Sequence, residues 1–185
     1  MPAVQSRPYG QAAVLDASGW ADVLAVADAR ETALVRLQLA TFGRISEVVA
    51  LRWSDVDGDR LHLQRSKGGP ATVIDLPQAA VDALRVWRSQ CDSTVWIFPG
   101  RKVQNRRRSC LSRRAAIDLW DALADRAGVP ALRSHSARRS AATAASRAGV
   151  PLPAIQAAGG WRSLSSLQRY LIADPADVKR ARDLL

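Results

Sequence analysis

The sequence contains few of the residues that build extracellular or metal-dependent folds. Its 185 residues include only two cysteines, Cys91 and Cys110, which are too few and too far apart for a disulfide scaffold or a zinc site. No apolar run approaches the roughly 18 residues that a membrane span needs, and the N-terminus lacks the apolar core of a secretory signal. These absences exclude a membrane protein, a secreted mini-protein and a Cys-rich zinc finger, and they predict a cytoplasmic protein without a metal site.

Lysine is also scarce, although the chain is strongly basic. Only three of the 27 Lys and Arg side chains are lysines, and with 17 Asp and Glu the net charge is +10. Arginine has a rigid fork of donors that suits phosphate, but a GC-rich coding sequence would also enrich it. Since the hydrophobic fraction of 48% is that of a globular protein, the charge predicts one basic domain whose partner is a polyanion, most simply nucleic acid.

Hydrophobic periodicity predicts an α+β domain that is mainly helical, with one small antiparallel sheet of three strands. Short apolar stretches are broken by Asp57-Gly58-Asp59 and by Lys67-Gly68-Gly69-Pro70, and glycines between strands mark tight turns. We expect a linker or frayed arm over residues 1–12, the main domain over 13–175 and a C-terminal helix over 176–185. The expected strands span about 52–57, 60–66 and 71–76, and the expected helices begin near Asp16 and span about 30–42, 44–51, 77–90, 112–127, 134–148, 153–158, 163–172 and 175–185.

Two pairs of residues have the spacing of an anion-binding site. His135 and Arg138 lie three residues apart at the start of a predicted helix, where backbone N–H groups already favour an anion. Arg44 follows a glycine at another helix start, and Glu47 is placed to orient it or to cap the helix. Each of these residues also has an ordinary explanation, as a neighbour of a helix cap or as a surface charge.

Three further residues carry groups that can act on a phosphate. Lys67 stands at the predicted hairpin, and a lysine can release a proton whereas an arginine cannot. Tyr170 lies at the edge of the apolar stripe of a helix, where a phenol can either pack or act as a nucleophile. Trp161, after two glycines, is either part of the core or an N–H donor to an oxyanion.

The order and spacing of these residues resemble the tyrosine recombinase (phage integrase) family. The resemblance covers about residues 15–185, a whole catalytic domain, and every motif position is filled in order. The stretch from His135 to Trp161 is particularly similar to Cre-type recombinases, which also have Trp where most members have His. The matching positions are Arg44 in Arg-Ile-Ser-Glu, Lys67 at a hairpin, His135-x-x-Arg138, Gly159-Gly160-Trp161 and Tyr170.

Two positions depart from the family's usual pattern. Phe42-Gly43-Arg44 replaces the usual Gly-Leu-Arg, which could change how Arg44 is presented, and Arg139 stands where a His is frequent. Neither departure removes a catalytic group. Family members usually also carry an N-terminal helical DNA-binding domain, so we expect either an excised catalytic domain or a naturally minimal recombinase.

The resemblance implies the tyrosine recombinase catalytic-domain fold and the cleavage and rejoining of DNA strands through a 3′-phosphotyrosine intermediate, without a cofactor. Tyr170 would attack the scissile phosphorus, and Lys67 would protonate the leaving 5′-oxygen. Glu47 would support the groups that hold the phosphate, and His135 could also accept the phenol proton. The groups that would hold the phosphate are Arg44, His135, Arg138 and Trp161.

Double-stranded DNA is therefore the expected partner, and the protein would be nucleoid-associated. Arginine–phosphate contacts would supply most of the affinity, although a solvated loop is an equal expectation for residues 106–108. Self-association on DNA, as a tetramer in the synapse, is expected through the C-terminal helix, which could instead pack onto its own subunit. The candidate DNA-binding residues are Arg101, Lys102, Arg106, Arg107, Arg108, Arg113, Arg114 and Arg133.

Two alternatives remain open at this level. A type IB topoisomerase-like enzyme would use the same chemistry to relax DNA. A non-catalytic regulator could use residues 146–170 as a helix-turn-helix, but this leaves Arg44, Lys67 and Tyr170 without a role.

Overall fold

The computed structural model describes residues 12–65, 71–103, 108–171, 178–179 and 182–183. Within these residues it confirms the predicted class, a mainly helical α+β fold with a small sheet between the third and fourth helices. The helices are α1 (Ala17–Ala25), α2 (Ala29–Thr41), α3 (Ile45–Val48), α4 (Gln78–Gln90), α5 (Arg113–Ala127), α6 (Ser136–Arg147), α7 (Leu152–Gly159) and α8 (Leu164–Gln168); the strands are β1 (Val56–Asp57), β2 (Arg60–Gln64) and β3 (Ala71–Asp75).

Local hydrogen bonds explain where the helices begin and end. Asp28 accepts from the backbone N–H of Glu31 at 2.8 Å, and the Glu31 carboxylate accepts from the N–H of Asp28 at 2.9 Å, which makes a capping box at the start of α2. Ser112 Oγ accepts from the N–H of Ala115 at 3.1 Å at the start of α5, and Gly128 ends that helix at φ +64°. Polar caps and a terminal glycine are visible in the sequence, so the predicted bounds of these helices lie close to the observed ones.

The three strands form an antiparallel sheet in the order β1-β2-β3. Leu61 lies opposite Ile74 and Leu63 opposite Thr72, and both leucines are fully buried. Because side chains alternate along a strand, one face of the sheet covers the core and the other faces outward. The predicted second and third strands are confirmed, and residues 66–70 of the hairpin between them lie outside the described residues.

The first predicted strand, over residues 52–57, is wrong for most of its length. Only Val56–Asp57 pairs with β2, and residues 53–55 form a 3₁₀ turn. The carboxylate of Asp55 accepts from the backbone N–H of Arg52 at 2.8 Å. A side chain that binds the backbone three residues earlier stabilises a turn in competition with the extended conformation.

The core is centred on α2, which packs against α4 and α6. Trp120 of α5 is almost fully buried and meets Trp20 edge-on, with the ring centroids 6.3 Å apart. A second, smaller cluster lies under α6, α7 and α8 and contains Ile155 and Leu167, and Phe42 at the end of α2 packs against it. The end of α2 and the three C-terminal helices of the described domain therefore meet at one place.

Helix α8 ends at Gln168, rather than at residue 172 as predicted. The N–H of Tyr170 donates to the carbonyl of Leu167 at 2.8 Å, so the chain leaves the helix in a tight turn. Thr143 Oγ1 of α6 donates to the carbonyl of Tyr170 at 3.2 Å. Tyr170 is thus held against α6 by its backbone.

The described residues contain no helix that is long and apolar enough to cross a membrane. Among the same residues, no group of three His, Cys, Asp or Glu is placed to hold a metal ion. Of the expected C-terminal helix, residues 178–179 and 182–183 are helical. The rest of that segment, and residues 1–11 of the predicted arm, lie outside the described part of the chain.

Candidate active site

The end of α2 makes a tight turn that presents Arg44. Phe42 closes the helix at φ +50°, the one positive φ of a non-glycine residue in the described chain, and this conformation costs an L-residue about 1–2 kcal/mol. A Cβ on Gly43 would lie 2.6 Å from Thr41 Oγ1 and 2.8 Å from Val48 Cγ2, so the site is shaped for glycine. In the Phe42-Gly43 pair that departs from the family pattern, Phe42 therefore takes the left-handed conformation and Gly43 the position without space for a side chain. Arg44 still lies at the start of α3.

Glu47 fixes the position of Arg44. Its carboxylate accepts from Arg44 Nη1 at 2.8 Å and from the Arg44 backbone N–H at 2.9 Å. The side chain of Glu47 is 1% exposed and that of Arg44 is 31% exposed, so the guanidinium reaches the surface while its anchor is buried. Charge-assisted hydrogen bonds of this kind restrict the rotamer of a guanidinium, which supports the prediction that Glu47 orients Arg44.

Arg138, in the first turn of α6, is fully buried. Its Nη1 donates to the carbonyl of Phe42, but its Nε and Nη2 have no hydrogen-bond partner among the described residues. Its Cζ lies 3.8 Å from the centroid of the Trp161 ring, which is a close cation–π contact. Burial first, and then the charge of Arg44, lower the pKa of Arg138 to about 10, so this side chain is still a cation at neutral pH and carries donors that are free to bind an anion.

Trp161 and Tyr170 stand beside this guanidinium. Trp161 is buried, and its Nε1 also lacks a hydrogen-bond partner in the described structure. A Cβ on Gly159 would lie 1.7 Å from the Trp161 ring, so a glycine is required for the ring to pack there. The Tyr170 ring is half-buried, and its centroid lies 5.4 Å from that of Trp161 and 5.5 Å from the Cζ of Arg138.

His135 precedes α6 and faces the same tyrosine. The ring centroids of His135 and Tyr170 are 6.3 Å apart. Burial lowers the pKa of His135, and the positive charges of Arg138, Arg113 and Arg44 lower it further. The neutral imidazole is therefore favoured, and a neutral imidazole can accept a proton.

The structure thus brings together most of the motif residues predicted from the sequence. Arg44 lies close enough to lower the pKa of both His135 and Arg138, and Trp161 and Tyr170 contact Arg138 directly. Lys67 lies outside the described residues. The stretch of residues 146–170 contributes its aromatic side chains to this buried cluster, which argues against its use as a helix-turn-helix on DNA.

A sequence model described as the phage integrase family matches residues 14–176. The chain belongs to this family. It is similar to tyrosine recombinase XerD of Rhizobium meliloti (strain 1021), with 32% identity over 172 residues that cover 89% of this chain and 53% of the relative. It is also similar to the integrase of Salmonella phage P22, with 29% identity over 148 residues that cover 74% of this chain and 38% of the relative. The chain therefore spans about half the length of the curated relatives it matches.

Solved structures confirm the predicted family fold. The crystal structure of XerA recombinase superposes with a TM-score of 0.76 at 23% identity, and the match covers 97% of this chain and 65% of that chain. The XerH site-specific recombinase, solved bound to a palindromic difH substrate as a post-cleavage complex, superposes with a TM-score of 0.72 at 18% identity. This match covers 91% of this chain and 51% of that chain. At these identities the likeness establishes the tyrosine recombinase catalytic-domain fold, and the particular similarity to Cre-type recombinases stays a prediction.

Beside the motif residues, this phage integrase family member has a cleft of about 490 Å³. His135 and Tyr170 line it together with four arginines and one carboxylate, Asp121, so the net charge of the lining is positive and favours a polyanion. Two of these arginines are among the predicted DNA contacts, and two are not. The four are Arg113 and Arg133, and Arg139 and Arg169.

Arg139, found where the family often has a His, ties the N-terminal segment to α6. It is buried, and its Nη1 donates to the carbonyl of Ala12. Next to it, Ser140 Oγ accepts from the backbone N–H of Leu15 at 2.9 Å. The second departure from the family pattern therefore brings a structural contact of its own.

The other candidates for DNA binding that the structure describes do not line this cleft. Lys102 Nζ and Arg108 Nη1 both pair with Asp92, at 2.8 and 2.5 Å, and hydrogen bonds from Lys102 and then Arg108 lower the pKa of Asp92 to about 2. This local ion pair offsets part of their positive charge. Among the remaining candidates, Arg101 and Arg114 are exposed, and Arg106 and Arg107 lie outside the described residues.

Two buried polar residues, Gln38 and Arg65, hold the site together and were not singled out by the sequence. Gln38 Nε2 donates to the carbonyl of Ser134 at 3.0 Å, and its Oε1 accepts from Trp120 Nε1 at 3.0 Å. Gln38 therefore joins α2 to the residue before His135. Gln38 is a polar residue on the apolar face of a predicted helix, and such a position indicates a buried hydrogen-bond network. Arg65 precedes a predicted turn, and nothing in its sequence position indicates that it is buried.

Proposed function

We propose that this chain is the catalytic domain of a site-specific DNA recombinase, which cleaves and rejoins DNA strands through a 3′-phosphotyrosine intermediate. The observation that carries the proposal is the fully buried guanidinium of Arg138, two of whose nitrogens have no partner among the described residues. The Nε1 of Trp161, beside this guanidinium, is also buried and also has no hydrogen-bond partner among the described residues. Unsatisfied buried donors are costly, and one phosphate has enough acceptor oxygens to satisfy these donors. Tyr170 is then next to the phosphate that it would attack.

Cleavage would be a transesterification in which one phosphorus–oxygen bond replaces another. The Tyr170 oxygen donates an electron pair to the scissile phosphorus, and the bond between the phosphorus and the 5′-oxygen breaks. The phenol proton passes to His135, and the leaving 5′-oxygen takes a proton from Lys67. Because the phosphodiester is conserved as a phosphotyrosine, no nucleotide is consumed, and attack by a 5′-hydroxyl reverses the steps to rejoin a strand.

The cationic groups would act mainly on the transition state. Negative charge develops on the non-bridging oxygens of the pentavalent phosphorus, where Arg44 and Arg138 can donate hydrogen bonds from both arms of the fork. Trp161 would donate its single N–H to the same oxygens. Arg138 is buried, so its interaction with the developing charge is less screened than that of the partly exposed Arg44.

The pH dependence of cleavage tests the role of His135. Since its pKa is lowered from the usual 6.5, the neutral form that accepts the proton persists to more acid pH. We expect the acid limb of the single-turnover cleavage rate constant to lie below pH 6.5, where His135 becomes protonated.

The same shift has a consequence for stability. A histidine whose folded-state pKa lies below its unfolded value contributes fully above the unfolded pKa, and this contribution is lost as the pH falls through 6.5 towards the folded pKa. His135→Asn should remove both the stability change and the acid limb of the rate profile. His62→Asn, on the exposed face of β2, is the control, and a His135→Asn profile that kept the wild-type acid limb would assign that limb to another group.

We propose double-stranded DNA as the partner, held by the arginines of the cleft. Arg113→Ala should weaken binding to all sequences alike and reduce the slope of log Kd against log salt by about one, because one phosphate contact is lost. Fluorescence anisotropy at several salt concentrations measures the slope. The matched control is Arg85→Ala, since Arg85 is an exposed residue of α4 that pairs with Asp82. Equal slopes for the two variants would place Arg113 away from the DNA.

We also propose that copies of the protein assemble on DNA, as a tetramer in the synapse, through residues 176–185. The support is the sequence pattern, because an amphipathic segment with one apolar side is suited to docking on a second subunit. Val178, which belongs to that side, is exposed. The residues that share the apolar side are Val178, Ala181, Leu184 and Leu185.

A nicked suicide duplex tests the proposed function, because the short fragment released by cleavage diffuses away and the covalent intermediate is trapped. The full chain is incubated with a library of nicked duplexes of randomised sequence, and SDS-resistant adducts are recovered and their 3′ ends sequenced. We expect adducts at a defined sequence. The absence of adducts from the whole library would contradict the proposal, and relaxation of a supercoiled plasmid without site preference would favour a type IB topoisomerase-like enzyme.

A further inference from the structure

Arg65 is a buried cation that follows directly after β2. It is 6% exposed, and its Nη2 donates to the carbonyl of Thr41 at 3.1 Å and to the carbonyl of Ala158 at 2.5 Å. Its Nη1 lies 3.5 Å from Glu47 Oε2. One guanidinium therefore touches the end of α2, the carboxylate of α3 and the last turn of α7.

Each of these contacts leads to a residue of the proposed site. Glu47 holds Arg44 through both its side chain and its backbone N–H. Ala158 directly precedes the two glycines before Trp161. Thr41 directly precedes Phe42, whose carbonyl accepts from Arg138. Arg65 is thus the shared neighbour of three segments that present phosphate-binding groups.

The surroundings of Arg65 are shaped for a guanidinium. Gly160 adopts φ +62°, and a Cβ there would lie 3.3 Å from both Cδ and Nε of Arg65, so a side chain at this position would press on the arginine. Burial lowers the pKa of Arg65, and the negative charge of Glu47 opposes this effect. The planar fork can reach two carbonyls and a carboxylate at once, which the single ammonium of a lysine cannot do with the same geometry.

We propose that Arg65 is a positioning residue of the cleavage reaction, which sets Arg44 through Glu47 and sets Trp161 through the end of α7. This proposal rests on the proposed function, since it assigns Arg65 to the geometry of that same site. The guanidinium of Arg65 differs from that of Arg138 in its partners, since it donates to two backbone carbonyls and pairs with the Glu47 carboxylate, so we assign it to the support of the site and not to the phosphate. Its effect is therefore on the rate of the chemical step, because a displacement of about 1 Å in a catalytic group can cost roughly 10²-fold in rate.

The experiment compares wild type, Arg65→Lys and Arg65→Met on the suicide duplex. We expect the single-turnover cleavage rate constant at saturating DNA to fall by roughly 10²-fold in both variants. Kd for DNA should stay within about 2-fold of wild type, because the guanidinium binds protein carbonyls and Glu47 and DNA affinity comes mainly from phosphate contacts. Circular dichroism and the Tm establish whether each variant is folded at the assay temperature. If Arg65→Met is unfolded there, Arg65→Lys provides the test. Arg30→Met is the matched control, since Arg30 is half-buried, donates to the carbonyl of Pro99 at 2.9 Å and packs over the ring of Trp87, and neither partner belongs to the proposed site.

A second set of variants separates positioning from general stability. In an Arg44→Ala/Trp161→Phe background both proposed routes of the effect are already lost, so Arg65→Met should cost much less than in wild type. Equal fold-losses in the two backgrounds, or a folded Arg65 variant that cleaves at the wild-type rate, would overturn the proposal for Arg65. A wild-type chain that forms no adduct would instead overturn the proposed function, so the two failures are distinct.

Discussion

Tyr170→Phe is expected to abolish the covalent adduct while the protein stays folded and binds DNA with an affinity within about 2-fold of wild type. The substitution removes only the nucleophilic oxygen, and loss of a nucleophile typically costs more than about 10⁴-fold in rate. The ring contacts with Trp161 and His135 remain, and so does the hydrogen bond from Thr143, which goes to the backbone. A denaturing gel with the suicide duplex measures the adduct, and a mobility-shift assay measures binding.

The other tyrosine of the chain supplies the matched control for this experiment. The sequence contains two tyrosines, Tyr9 and Tyr170, and Tyr9→Phe should form the adduct at the wild-type rate. Recovery of an adduct from Tyr170→Phe would remove Tyr170 as the nucleophile. Loss of DNA binding together with the adduct would show that the phenol holds the DNA rather than attacking it.

Arg138 is expected to give the largest loss among the phosphate-binding groups. Removing one donor to a developing oxyanion typically costs about 10²–10³ in rate, and Arg138 has two nitrogens available for the phosphate in a buried site. We therefore expect Arg138→Met to lower the cleavage rate constant at saturating DNA by at least about 10³-fold. Arg138→Lys, which keeps the charge and loses the fork, should lie between this variant and wild type.

Although Arg138→Met should slow cleavage, it should leave the stability of the protein unchanged or raise it. Replacing a buried and incompletely paired charge with an apolar side chain is often neutral or stabilising, so the Tm of Arg138→Met should be equal to or higher than that of wild type. Arg126→Met is a control with the reverse expectation, because it leaves the buried Glu31 carboxylate without the arginine that pairs with it. This variant should have a lower Tm, and at temperatures well below its Tm it should cleave at the wild-type rate. An Arg138→Met protein that cleaves within about 10-fold of wild type would show that this guanidinium is structural.

Features that depend on local sequence could be predicted. The predicted bounds of α2, α5 and β2 lie close to the observed ones, because the capping box of Asp28 and Glu31, the glycine that ends α5 and the alternation of Leu61 and Leu63 each depend on residues within a few positions of one another. The motif residues of the site could also be named, because a family motif is itself a local pattern. What the motif left open is their mutual geometry, since Tyr170, Trp161 and Arg138 meet only when α6, α7 and α8 pack together.

Features that depend on distant contacts could not be predicted. Arg65 and Ala158, like Gln38 and Ser134, are far apart in the sequence, and a buried arginine before a turn looks like any surface cation. The sequence marks Phe42 only as a departure from the family pattern, because nothing local favours a bulky side chain in the left-handed conformation.

The most direct test of the proposed mechanism identifies the residue that carries the DNA. The adduct trapped on the suicide duplex is digested with nuclease and trypsin, and the modified peptide is sequenced by tandem mass spectrometry. Cleavage after Arg169 releases a peptide of residues 170–179, and we predict that it carries a nucleotide joined through its 3′-phosphate to the Tyr170 oxygen. A nucleotide on any other residue, or one joined through its 5′-phosphate, would contradict the mechanism.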